Sequence, residues 1–301
     1  ESNQTESYFG QSVSAAGDVN GDGYSDVIVG ATQPWREGRA FVYHGSPTGL
    51  PLLPNWIGVC EQYYAIYGFT VASAGDVNGD GYSDVIAGAY GYSSDIGRAY
   101  IFLGGSAMNS IADVILTGEA TGSDFGLSVS EAGDANGDGY SDVIVGASGY
   151  GSNAGRVYLY DYFMKNEIRP DLSMTGEATS NSFGLSVSSA GDVNGDGYSD
   201  VIVGAYGYSS STGRAYIYFG GPSMDNTADI TMTGEATIND FGYSVSSAGD
   251  VNGDGYSDVI VGAYGYSSNT GRAYIYFGGS SMNNTADVTL SGAATNIFFG
   301  R

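Results

Sequence analysis

The chain has 301 residues, with 50 Gly and 26 Tyr against a single Cys and a single His, and a formal net charge of −24. That charge makes nucleic acid an unfavourable partner, and one cysteine, Cys60, excludes an internal disulfide. No run of 18 apolar residues offers a membrane-spanning helix, while the Gly- and Tyr-rich composition is that of a β-repeat protein.

The sequence begins at Glu1 without Met or a signal-like apolar segment, which reads as a processed or excised piece. From there an acidic run recurs five times, starting at Asp18, Asp76, Asp134, Asp192 and Asp250, always 58 residues apart. A fixed period of this size marks a repeat architecture. The repeats span residues 9–66, 67–124, 125–182, 183–240 and 241–298, within a single domain over 1–301.

The fifth repeat shows the reading most clearly. Phe241 to Ala248 alternates with period 2 and reads as a first strand; the acidic loop follows, and Asp258 to Ala263 is an apolar, β-branched second strand. A Gly, Tyr and Ser loop, Tyr264 to Gly271, leads to a third strand, Arg272 to Phe277. A short final strand, Ala286 to Leu290, ends the unit. Four antiparallel strands repeated in this way form a β-propeller blade, so the fold class is all-β. The least regular stretches are residues 32–66, with Pro34-Trp35-Arg36, and Asp161 to Pro170; changes of this kind in repeat proteins map to loops and often to a binding face.

The acidic loops carry the chemistry. Position 1 is Asp18, Asp76, Asp134, Asp192 or Asp250; position 3 is Asn20, Asn78, Asn136, Asn194 or Asn252; position 5 is Asp22, Asp80, Asp138, Asp196 or Asp254. Position 9 is Asp26, Asp84, Asp142, Asp200 or Asp258. A Gly at position 6 turns the chain so that the main-chain carbonyl at position 7, Tyr24, Tyr82, Tyr140, Tyr198 or Tyr256, can face the same point. Hard oxygen donors converging from one short loop suit calcium, whereas zinc would want His or Cys. The alternative is an Asx turn whose side chains bond only nearby backbone, a reading that five intact copies disfavour.

An EF-hand or a dockerin module opens with similar residues, but an EF-hand needs a Glu at position 12 and then a helix. Here position 12 is Val29, Ala87, Val145, Val203 or Val261, inside the second strand. Five bound calcium ions would bring the charge from −24 to −14.

The opening dipeptides Phe9-Gly10, Tyr67-Gly68, Phe125-Gly126, Phe183-Gly184 and Phe241-Gly242, with Gly30-Ala31, Gly88-Ala89, Gly146-Ala147, Gly204-Ala205 and Gly262-Ala263 closing the second strands, resemble the FG-GAP repeat of integrin α-subunit propellers and their bacterial relatives. The resemblance covers nearly the whole chain. The residue after each Gly-Ala is Thr32, Tyr90, Ser148, Tyr206 or Tyr264 rather than the Pro of the signature, a departure at a turn. By resemblance, calcium sits in the loop joining the first two strands, and such propellers have seven blades. The five blades here would therefore form a ring of five or part of a ring of seven. Phe299-Gly300 stands in the phase of a sixth opening strand.

The resemblance implies a non-enzymatic, extracellular or cell-surface, calcium-stabilised adhesion or interaction module. A lectin-like carbohydrate-binding propeller, a structural subunit of a surface assembly and an accessory domain of a surface enzyme remain alternatives. A protein or glycan partner is expected on the face opposite the calcium loops, where the Tyr-Gly-Tyr-Ser-Ser loops around Tyr92, Tyr208 and Tyr266 meet the turns around Glu119, Glu177 and Glu235, with Trp35 and Tyr92 among the contacts. Packing of those tyrosines between blades is the alternative.

The arginines that begin each third strand, Arg39, Arg98, Arg156, Arg214 and Arg272, are read as structural partners of a nearby Tyr or Asp rather than as an anion site. His44 stands without a nucleophile motif, and Cys60 reads as a small buried apolar residue. Asn3-Gln4-Thr5 and Asn283-Asn284-Thr285 are glycosylation sequons.

Overall fold

Apolar residues in the second strand of each repeat are continuous rather than alternating because both of its faces are covered. In a computed structural model that describes residues 7–33, 37–161 and 169–301, the repeats form five four-stranded antiparallel sheets, each in simple sequence order. The first holds β1 (Tyr8–Gly17), β2 (Asp26–Thr32), β3 (Arg39–Tyr43) and β4 (Trp56–Val59); the second, β5 (Val71–Gly75), β6 (Asp84–Ala89), β7 (Arg98–Phe102) and β8 (Val114–Thr117). The third holds β9 (Phe125–Gly133), β10 (Asp142–Ala147), β11 (Arg156–Tyr160) and β12 (Leu172–Thr175). The fourth holds β13 (Val187–Gly191), β14 (Asp200–Ala205), β15 (Arg214–Tyr218) and β16 (Ile230–Thr233), and the fifth β17 (Phe241–Gly249), β18 (Asp258–Ala263), β19 (Arg272–Tyr276) and β20 (Val288–Ser291). The all-β, blade-like reading of the sequence is the observed one. The final strand starts two residues later than its sequence pattern implies, because pairing with β19 begins at Val288, opposite Ile275.

The chain divides into two compact units. One comprises Glu1–Glu131, Gly139–Ala147 and Tyr160–Arg169; the other comprises Ala132–Asp138, Ser148–Leu159 and Pro170–Arg301. In the first unit, Ile28, Val42 and Trp56 of the first sheet pack against Tyr67, Val71, Val85, Tyr100 and Phe102 of the second repeat. In the second unit, Ile202, Ile217 and Met232 of the fourth sheet pack against Phe241, Val245, Val259, Val261, Tyr274 and Tyr276 of the fifth repeat. Successive residues of a strand point to opposite faces, so the middle residue of Val-Ile-Val meets the following sheet and its two neighbours meet the preceding one. Burying each such side chain contributes about 1.5–3 kcal/mol.

The Phe-Gly and Gly-Ala signatures have one physical origin. A Cβ added to Gly204 would lie 2.0 Å from the carbonyl oxygen of Gly242, so the backbones of successive repeats touch there and only glycine fits. Phe241 also bridges Gly213 in parallel, as Phe125 bridges Gly97.

One face of the first sheet and one face of the fifth are less covered within their own units. Val13 is 61% exposed, where the equivalent Val71 is 4% exposed in the same unit. In the second unit Leu290 is 42% exposed, where Met232, at the same register position one sheet earlier, is fully buried.

Candidate metal loops and their neighbours

Each acidic loop joins the first and second strands of its sheet, and its shape is set by Asp and Asn side chains acting as backbone caps. In the fourth loop, Oδ1 of Asp192 accepts the N–H of Gly195 at 2.7 Å and of Asp196 at 3.1 Å, and Oδ2 accepts that of Gly197 at 2.9 Å. Asn194 Oδ1 accepts from Asp196 N–H at 2.8 Å and Asp196 Oδ1 from Tyr198 N–H at 3.0 Å. The fifth loop repeats this set through Asp250, Asn252 and Asp254. The first loop repeats it through Asp18, Asn20 and Asp22, where His44 adds a contact from its Nδ1 to the Asn20 amide at 3.1 Å. Side-chain oxygens at positions 1, 3 and 5 are thus held in place by short-range bonds, the local chemistry expected of Asx residues.

Position 9 is different. Asp200 is buried at the head of β14, and its two oxygens accept one N–H each, from Val193 at 2.8 Å and Gly220 at 2.8 Å. Asp84 does the same with Val77 and Gly104, Asp26 with Val19 and Gly45, and Asp258 with Val251 and Gly278. This residue pins the loop to the turn after the third strand. Burial pushes the Asp84 carboxyl up to about 7, with the Asp80 and Asp76 charges adding to the rise and the two N–H bonds opposing it; Asp200 rises to about 7 for the same reasons. By contrast, main-chain N–H groups led by that of Gly255 hold the exposed Asp250 carboxyl below its usual range.

Among the described residues, no group of three or more His, Cys, Asp or Glu side chains converges closely enough to hold a metal ion. The donor set nevertheless fits a hard divalent cation: three carboxylates, one amide oxygen and one main-chain carbonyl, with no nitrogen or sulfur ligand. The buried position-9 carboxylate is the observation that carries this fit, since the charges acting on Asp84 are those of two further loop carboxylates. A buried anion needs a compensating charge or its proton.

Sequence reasoning overlooked the side chains at positions 7 and 8. The pairs of the second to fifth repeats reach back to the loop of the preceding repeat. Ser83 donates its N–H to the Asp18 carbonyl at 3.0 Å and accepts the Asp18 N–H on Oγ at 3.2 Å. Tyr82 lies against Gly21, where an added Cβ would come within 2.5 Å of the ring. Ser141 and Tyr140 clasp Asp76 and Gly79 in the same way. In the second unit, Ser199 N–H bonds the Asp134 carbonyl at 3.0 Å with Tyr198 over Gly137, and Ser257 N–H bonds the Asp192 carbonyl at 2.9 Å with Tyr256 over Gly195. Gly249 and Gly253 of the fifth loop have nothing within 4 Å of an added Cβ. The signal was present in the sequence, since Tyr-Ser follows the loop glycine in all five copies.

Turns between the second and third strands lie at the other ends of the strands. In them Ser209, Ser210 and Ser211 have φ of 47°, 59° and 59°, and Ser267, Ser268 and Asn269 have φ of 48°, 57° and 60°. Three consecutive left-handed residues cost about 1–2 kcal/mol each. Bonds from the following turn hold them: Ile238 N–H reaches the Ser210 carbonyl at 3.2 Å and Asp240 N–H the Ser211 carbonyl at 2.8 Å.

Tyr92, Tyr208 and Tyr266 flank these turns and are half-buried. Arg98, Arg214 and Arg272 lie 3.8, 3.7 and 3.7 Å over their respective ring centroids. The arginines also pair with Glu61, Glu177 and Glu235. The structural reading of the arginines therefore holds, with Glu as the acid in place of Asp. The same contacts make the tyrosines part of the blade and leave Ser93, Ser94, Ser209, Ser210, Ser267 and Ser268 as the exposed groups. Trp35 and the Asn3 sequon lie outside the described residues.

Cys60 is buried and its thiol is pushed up by burial, a poor setting for a nucleophile. Among the described residues no helix is long and apolar enough to cross a membrane.

Comparison with known proteins agrees with the signatures. The FG-GAP repeat model matches residues 9–43, 67–102, 125–160, 183–218 and 241–276. Integrin alpha-5 of Xenopus laevis is 32% identical over 248 residues, 77% of this chain and 23% of that protein. Integrin alpha-8 of Gallus gallus is 31% identical over 242 residues, 75% of this chain and 22% of the relative, and human integrin alpha-IIb is 33% identical over 216 residues, 66% and 20%. The chain thus spans less than a quarter of the length of these relatives. It belongs to the FG-GAP repeat family.

Proposed function

We propose that this chain is a non-enzymatic recognition module of the adhesion type, acting outside the cell and stabilised by five calcium ions. Each ion would be held by side chains at positions 1, 3, 5 and 9 and the position-7 carbonyl: in the fifth loop Asp250, Asn252, Asp254, Asp258 and Tyr256. The carrying observation is the buried position-9 aspartate, placed alike in the first, second, fourth and fifth loops, where each of its two oxygens accepts a main-chain N–H. When bound, calcium supplies the positive charge these carboxylates lack. The residues themselves orient the donors and tie the loop to the strand ends.

A protein or glycan partner would dock on the side opposite these loops, against the exposed serines of the left-handed turns and the edges of the tyrosines. The integrin relatives support a role in adhesion, and the half-buried, Arg-stacked tyrosines supply a rigid floor for it.

The test is calorimetric titration of calcium into the metal-free chain, with melting followed in parallel. Five equivalents should bind, and chelator should lower the melting temperature, since a site held at about 100 times its dissociation constant adds about 2.7 kcal/mol. No heat of binding together with an unchanged melting temperature would remove the calcium reading.

A further inference from the structure

We infer that the tyrosine and serine at positions 7 and 8 of a repeat are positioning residues for the calcium site of the preceding repeat. The inference rests on the calcium reading above and concerns how strongly each loop is prepared for the ion.

The geometry shows why the coupling runs backwards along the chain. Asp18 presents both carboxylate oxygens to its own loop, to the N–H groups of Gly21, Asp22 and Gly23. Where that carboxylate points depends on where its main chain is fixed, and both main-chain groups of Asp18 are bonded to Ser83 of the next repeat. Tyr82 closes over Gly21, a glycine with φ of 74°. The clasp therefore removes loop freedom before any cation arrives, which lowers the entropy lost on binding. In the second unit, Ser257 and Tyr256 perform the same service for the Asp192 loop.

Tyr256 has two separate parts in this arrangement. Its carbonyl belongs to the fifth loop, and its ring covers Gly195 of the fourth. A change confined to the ring should weaken the fourth site while sparing the donor set of the fifth. Groups outside a metal's own ligands commonly carry 10–100-fold in affinity.

The experiment follows the amide of the position-6 glycine, whose N–H donates to the position-1 carboxylate in the first, second, fourth and fifth loops: Gly23, Gly81, Gly197 and Gly255. Calcium alone is titrated into the metal-free full chain and each amide is read by NMR. Tyr256→Ala should raise the Gly197 midpoint about tenfold and leave Gly23 and Gly81 unmoved, and Tyr256→Phe should restore it. A merely structural role for the ring would shift all amides together.

An unmoved Gly197 midpoint in Tyr256→Ala would overturn the inference. Response of no glycine to calcium would overturn the calcium reading and this inference with it. A graded response in which Tyr256→Ala moves every midpoint alike removes only the inference.

Discussion

The fourth and fifth acidic loops have the same nine residues, Asp192 to Asp200 and Asp250 to Asp258, and the same internal hydrogen bonds. They differ in what lies over them. Gly195 sits under Tyr256 and Asp192 is bonded to Ser257, while Gly249 and Gly253 face open space. The sheets behind them differ in the same sense, with Met232 buried and Leu290 exposed at matching register positions. Within a repeat protein, local sequence specifies the loop, and the neighbouring repeat specifies how firmly it is held.

The largest consequence should appear in the sheets. Met232→Ala removes a fully buried side chain and should destabilise the chain by about 2–5 kcal/mol, whereas Leu290→Ala should stay within about 1 kcal/mol because its side chain already meets solvent. Urea denaturation of both variants reads the difference. Similar midpoints would mean that Leu290 is covered in solution and would break the comparison at its root.

A matched glycine pair separates backbone strain from the clasp. Gly195 and Gly253 have φ of 79° and 75°, so alanine at either should cost a comparable 1–2 kcal/mol or so of left-handed strain. At Gly195 the new methyl must also displace the Tyr256 ring, which would lie 2.4 Å away. Overpacking of this kind adds about 1–3 kcal/mol. The expected result in thermal melts is that Gly195→Ala loses more than Gly253→Ala by that margin; equal losses would mean that the ring moves aside freely.

Much of the fold could be read from the chain because period-2 strands, Asx-rich loops and glycine signatures are local patterns, and a 58-residue period repeats each of them. The Asp and Asn residues that shape the acidic loops were legible for the same reason. The clasp was not, because it joins residues 65 positions apart, as in Asp18 and Ser83, and Tyr and Ser at positions 7 and 8 look like ordinary loop residues until a second repeat is placed beside the first. The left-handed turns were hidden for a different cause. Ser209 to Ser211 carry no glycine, and their φ values are imposed by bonds from residues 238 and 240 rather than by their own preference. The tyrosines of these turns were legible as a composition but not as stacking partners of the arginines, since that contact depends on where the third strand begins.

The smallest predicted effect tests whether the difference between the fourth and fifth repeats is confined to the acidic loops. On the opposite side the two repeats match: Arg214 and Arg272 each lie 3.7 Å over a tyrosine ring and pair with Glu177 and Glu235 at 2.6 and 2.8 Å. The hydroxyls of Tyr216 and Tyr274 donate to those same carboxylates at 2.9 and 3.0 Å. Both glutamates are about half exposed, at 47% and 49%, so solvent screens the pairs and each is worth about 0.2–1 kcal/mol. Glutamine keeps an oxygen for the tyrosine hydroxyl and removes only the charge. Glu177→Gln and Glu235→Gln should therefore each cost that small amount, equally, and the loss should shrink toward zero at about 1 M salt, where screening acts within a few ångströms. A markedly larger loss in the fourth repeat than in the fifth would show that coverage by the next repeat governs this side as well, and the asymmetry would then belong to the whole blade rather than to its metal loop.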